Sequence, residues 1–200
     1  MNNRDRPIPK YRENSGQKLS CLIRVSRRPG RNPAFGLLHF AGRTWPCRLG
    51  QAGITAFKRE GDRATPLGRM MVLGGYIRTD RSRRRFAGNI PLQPIRANDG
   101  WCDAPTHPAY NRPVTLPFTA SHENMTRTDR LYDLLLVLGW NMEPRARHRG
   151  SAIFLHIAPE EADAGTHGCI ALQPDHMAQF LSLVEAATKG HAGPLWVAVG

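Results

Sequence analysis

SAIFLHIA, residues 151–158, is an apolar run interrupted only by Ser151 and His156. A short apolar run of this kind reads as a buried strand. Upstream, LYDLLLVLGWN (131–141) reads the same way. KLSCLIRV (18–25) alternates apolar and polar residues, the pattern of a strand covered on one face. FGLLHF (35–40) and TWPCRL (44–49) are joined by Ala41-Gly42-Arg43, which predicts a hairpin. MMVLGGYI (70–77) is a further strand whose Gly pair marks a bulge, and PLWVAV (194–199) closes the chain as another.

One helix stands out against these strands, at 174–188. Pro174 fits its first turn and Asp175 suits the positive end of the helix dipole. Met177, Phe180, Leu181, Val184 and Thr188 share one face, and Lys189-Gly190 is a stop. Many strands, one helix and no βαβ rhythm predict a mainly β domain, sandwich or barrel-like, with long loops. Residues 78–130, rich in Pro, Asn, Asp, Gly and Arg, read as a long irregular connection that walls or lids a site. Residues 1–17 lack periodicity and read as a flexible arm, leaving 18–200 as one domain.

Composition narrows the class. Apolar residues are 40% and charged residues 22% of 200, which is ordinary for a globular chain. The longest apolar run, Leu134 to Leu138, falls far short of the roughly 20 residues that cross a bilayer, so no membrane span is expected. The polar N-terminus has no apolar segment or small-residue cleavage site, so it does not read as a secretory signal and leaves a cytoplasmic location open. The net charge is +12 and comes mainly from Arg, whose planar fork suits carboxylates and phosphates. The basic runs Arg81, Arg83, Arg84, Arg85 and Arg145, Arg147, Arg149 either steer an anionic partner or are solvated faces. No nucleic-acid motif or aromatic–basic interleaving accompanies them, so nucleic acid is not expected as a partner. Cys21, Cys47, Cys102 and Cys169 lack C-x-x-C spacing, and a Cys21–Cys47 bridge between two strands is one expectation.

The densest chemistry is FLHIAPEEADAGTHGCIAL, residues 154–172. His156 ends an apolar strand, so its backbone is held rigidly. The following loop can fold back and bring Cys169 beside it. An imidazole next to a thiol can raise the thiolate fraction and later protonate a leaving amine. Gly168 permits an unusual backbone angle and close approach of a substrate carbonyl, and amides around Gly168 and Cys169 can face an oxyanion. Two other readings compete. Cys169 sits in an apolar stretch and buried cysteines are common, and His156, His167 and Cys169, with Asp163, are a zinc-type donor set whose spacing matches no common zinc motif. No metal or other cofactor is expected. Trp101, Cys102, Asp103 and His107 form a second polar cluster, read as loop.

His156, then Thr166-His167-Gly168-Cys169 and an apolar residue, resembles the active-site motif of the L,D-transpeptidase catalytic domain of the YkuD type. Gly53 to Asp62 followed by Thr65-Pro66-Leu67-Gly68, Leu131-Tyr132-Asp133 with Trp140-Asn141, and Gly150 to His156 are also similar to that family. The likeness runs over roughly 19–199. It implies a cysteine acyltransferase of bacterial cell-wall biogenesis, working in the periplasm or cell wall on peptidoglycan stem peptides. Cys169 would attack the carbonyl of the third stem residue, D-alanine would leave, and a second stem's amine would resolve the thioester as a 3→3 cross-link. A protein amine as acceptor, or water as in an amidase or carboxypeptidase, is the variant outcome, and a non-catalytic anion-binding module is the alternative class. The resemblance makes Cys169, His156 and His167 catalytic, Gly168 and Thr166 oxyanion or support residues, and Tyr132, Asp133 and Arg149 substrate contacts. Two features depart from the family pattern. Nine residues separate His156 from Thr166, a short gap, and Ala171 stands where many members carry Arg or Asn, so donor recognition differs.

Overall fold

The computed structural model describes residues 21–30, 32–82, 86, 88–159, 164–189 and 193–200. The arm at 1–17, the opening of the first strand at 18–20, Arg83, Arg84, Arg85, Asp163 and Gly190 lie outside the described residues. In chain order the strands are β1 Cys21–Arg27, β2 Phe35–Phe40, β3 Arg43–Arg48, β4 Ile54–Thr55, β5 Thr65–Pro66, β6 Gly68–Ile77, β7 Leu92–Pro94, β8 Asp99–Cys102, β9 Arg112–Thr115, β10 His122–Asn124, β11 Leu134–Leu138, β12 Phe154–Ile157 and β13 Ile170–Leu172. Helix α1, Pro174–Thr188, and β14, Leu195–Val199, complete the chain.

The main sheet runs β11-β12-β13-β3-β2-β1-β14-β6-β7, and a further pairing of β11 with β6 closes it into a barrel. The long strand β6 makes the closure. Its first half pairs with β14 and its second half with β11 and β7. The expected bulge is present: the β6–β11 register shifts between Val137 and Leu138, opposite Gly74 and Val72. A bulge bends and twists a strand, which a closing sheet requires.

Two cores explain the continuous apolar character of β11. Leu134, Leu136 and Leu138 enter the larger core, and Leu135 and Val137 enter the second. A strand buried on both faces does not alternate. Helix α1 packs on the larger core through Met177, Phe180, Leu181, Val184 and Thr188, the stripe expected from spacing. Phe40 and Trp45 meet the Phe180 ring edge-on at 5.8 and 6.1 Å. Lys189 leaves helical geometry and ends the helix.

The second core corrects the reading of 78–130. That stretch holds four short strands, and β8, β9 and β10 form a separate sheet in the order β10-β8-β9. Trp101 and Cys102 are strand residues, fully buried, not loop. Trp101 packs edge-on against Phe154 at 5.1 Å. Strands of three or four residues bounded by Pro and Gly carry too little periodicity to be seen locally. The Cys21–Cys47 bridge is absent, and all four cysteines are free thiols.

Candidate active site

His156 and Cys169 meet because of strand register. In β12, Phe154 faces the second core while Leu155 joins the larger one, so His156 shares the face of Phe154. Strand β13 runs parallel beside it, with His156 paired to Ala171. Cys169 precedes Ala171 by two residues and therefore faces the same way. Such diagonal neighbours lie about 7–8 Å apart along the sheet, within reach of an imidazole.

The thiol is held on two sides. Cys169 Sγ donates to the Ala152 carbonyl at 3.2 Å and accepts the Phe154 N–H at 3.3 Å. Ala152 has a left-handed φ of 51°. That conformation is unusual for alanine and is held here by Asn111, whose Oδ1 accepts the Ala152 N–H at 3.0 Å. Asn111 is itself buried and donates from Nδ2 to the Trp140 and Asn141 carbonyls.

The turn before the thiol is built by threonines. Thr166 Oγ1 accepts the Gly168 N–H at 3.1 Å and donates to the Cys169 carbonyl at 2.7 Å. Thr65 Oγ1, from the Thr-Pro-x-Gly element, donates to the same carbonyl at 3.3 Å and accepts the Gly50 N–H. The Gly168 amide is thus occupied within the turn and does not face an oxyanion; its φ of 130° is the left-handed conformation that glycine adopts readily.

His156 Nδ1 lies 2.7 Å from the carbonyl of Ile157. A carbonyl only accepts, so Nδ1 carries the proton and Nε2 presents a lone pair. The Tyr132 ring stands edge-on to the His156 ring at 5.5 Å, and its hydroxyl donates to Glu123 at 3.1 Å. Burial lowers the His156 pKa to about 4, and burial pushes the Cys169 thiol up to about 12 against the bond from Phe154 N–H. The resting pair is therefore neutral imidazole and neutral thiol. The imidazole does not raise the thiolate fraction at rest, because burial disfavours charge on both groups.

A cavity of about 570 Å³ opens onto this pair. Cys169, His156, Thr166, His167 and Tyr132 line it, with Glu60, Asp103, Glu123, Arg63 and Arg127 as charged wall residues. His167 is exposed at its rim. Asp133 and Arg149 are not brought to the cavity. Asp133 is ion-paired with Arg81 at 2.8 Å in a separate depression, and Arg149 is exposed, its carbonyl accepting from Trp140 Nε1. Arg145 donates to the Tyr110 and Pro108 carbonyls and so braces a loop. Among the described residues no group of three His, Cys, Asp or Glu side chains is placed to hold a metal. The sequence reading gave no site role to Thr65, Asn111, Ala152, Glu60 or Arg127; Thr65, Glu60 and Ala152 fall in stretches it found similar to the family, whereas Asn111 and Arg127 left no local trace.

A barrel that presents a Thr-His-Gly-Cys turn and an upstream histidine to one cavity defines the L,D-transpeptidase class. The chain belongs to this family: the L,D-transpeptidase catalytic domain (YkuD) matches residues 41–197. No curated protein matches the chain. Among solved structures it is similar to L,D-transpeptidase 1 of Mycobacterium tuberculosis, at 17% identity over 90% of this chain and 62% of that one, with a TM-score of 0.35. It is also similar to the helical cell shape determining protein Pgp2 of Campylobacter jejuni, at 15% identity over 95% of this chain and 51% of that one, with a TM-score of 0.36. The chain thus spans between half and two thirds of the length of these two structures. Among the described residues no helix is long and apolar enough to cross a membrane.

Proposed function

We propose that the protein is a cysteine L,D-transpeptidase acting on peptidoglycan stem peptides at the cell wall, with Cys169 as nucleophile and His156 as base. One observation carries this reading. Cys169 and His156 share a face and a cavity, and the Ile157 carbonyl leaves His156 Nε2 as a free acceptor. The reaction starts when the thiol leaves the Ala152 carbonyl and gives its proton to Nε2. Sulfur attacks the carbonyl carbon of the third stem residue, and the terminal D-alanine departs with the proton from His156 as its amine forms. An amine of a second stem then attacks the thioester and gives a proton to Nε2, which passes it to the departing sulfur, leaving a 3→3 cross-link, a neutral imidazole and a free thiol.

The backbone amide available to the oxyanion is that of Cys169, since Thr166 occupies that of Gly168. One such donor is worth about 3 kcal/mol to the transition state. Thr166 supports the turn, Tyr132 orients His156, and His167 at the rim contacts the bound peptide.

Incubation with tetrapeptide stems, followed by mass spectrometry, tests the reading. The expected products are D-alanine and a cross-linked dimer, with a carbapenem adduct on the wild type and none on Cys169→Ala. Transfer to a protein amine, or hydrolysis alone, would reassign the acceptor. An accessible Cys169 that no amide-like electrophile acylates would refute the nucleophile.

A further inference from the structure

Lys58 is 2% exposed, which is rare for a lysine. It lies in the Gly53–Asp62 segment and is absent from the wall of the cavity. Its Nζ is ion-paired with Asp62 and donates to the Arg59 carbonyl at 3.2 Å. Burial raises the Asp62 carboxyl pKa, but hydrogen bonds from Lys58 and the Ala64 and Arg59 amides outweigh it and hold the group below its usual range. Asp62 is thus the anion of a real pair. An ammonium has three protons, and these partners take two.

The side chain passes between two glycines. A Cβ on Gly150 would fall 2.8 Å from Lys58 Cε, and one on Gly168 would fall 3.3 Å from Nζ. The ammonium therefore rests directly behind the residue that precedes the nucleophile. The charged groups acting on the Cys169 thiol are Glu123 and Lys58, and a charge on the thiol in turn acts on Tyr132. His156 is neutral at rest, and Glu123 opposes charge on the thiol. Lys58 is the cation on the other side of that balance and lowers the thiol pKa. Charge shielded from water acts far more strongly than the same charge on the surface.

We propose that Lys58 is a positioning residue for Cys169, a fixed positive charge sealed behind the Gly168–Cys169 turn that braces the turn and favours the negative charge formed there during acyl transfer. Lys58 exchanges no proton. The thiol proton goes to His156 Nε2, and as the carbon–sulfur bond forms the charge moves from sulfur to the carbonyl oxygen.

This inference rests on Cys169 being the nucleophile, but its test needs no stem substrate. The rate of Cys169 alkylation by iodoacetamide is followed by peptide mass mapping from pH 7 to 10 in the wild type, Lys58→Met, Lys58→Gln and Lys58→Arg. Loss of one pKa unit of thiolate support lowers the rate about tenfold at every pH. That fall is expected in the Met and Gln variants, with the Arg variant within about threefold of wild type. A merely structural lysine gives the opposite result, because loosening the turn exposes a buried thiol and speeds its alkylation. Unchanged or faster alkylation in the neutral variants would overturn the inference. So would failure of both neutral variants to fold, which assigns Lys58 to the fold alone. Failure of stem transfer with alkylation behaving as expected would strike the transpeptidase reading and leave Lys58 standing.

Discussion

The buried His156 carries a cost in stability that can be measured. His156 is buried as a neutral ring, with its pKa lowered from 6.5 to about 4 by burial. The unfolded chain binds the extra proton between these values and the folded chain does not. The His156 contribution is therefore flat above about pH 7 and falls as pH drops towards 4, by about 3 kcal/mol at most. Urea unfolding at pH 7.5, 5.5 and 4 should show the fall, and His156→Asn should remove that part of the slope. The same burial keeps Nε2 unprotonated at neutral pH, so acylation should not decline near pH 6.5 as it would with an exposed histidine. Little of this was visible in the motif. The spacing from His156 to Cys169 named both residues, but the carbonyl that orients the ring, and Ala152, which holds the thiol, are known only from the folded backbone.

Elements divide between the two cores, and so do the expected effects of mutation. Phe180 is fully buried on the larger core, against Phe40 and Trp45, while Cys169 lies in the second. Phe180→Ala should destabilise by about 3–5 kcal/mol through the cavity it leaves. The acylation rate of the protein that remains folded should stay within about twofold of wild type, because β12 and β13 separate the two cores. Thermal unfolding and active-site titration together check this. The helix was legible in the sequence because its stripe is local, one residue in three or four over fifteen residues. The sheet β10-β8-β9 was not, because its strands of three to four residues are stabilised by side chains such as Phe154, against Trp101, that lie far along the chain.

At the scale of the molecule, the chain carries a net charge of +12, while the cavity wall carries both signs. Long-range steering of an anionic wall polymer should weaken as salt shortens the Debye length from about 14 Å at 50 mM to about 6 Å at 300 mM. The KM for intact peptidoglycan fragments should rise several-fold over that range, with kcat and acylation by a neutral electrophile unchanged; an invariant KM would confine the charge to solubility. The mainly β class, the helix and the Cys169–His156 pair were determined by the sequence alone, because hydrophobic period and motif spacing are properties of near neighbours. Tertiary structure decided the rest. Barrel closure joins β6 to β11 and β1 to β14 across most of the chain, Thr65 reaches a carbonyl 104 residues away, and Lys58 lies behind Gly168. Burial, which sets the charge state of both His156 and Cys169, exists only once those distant segments have met.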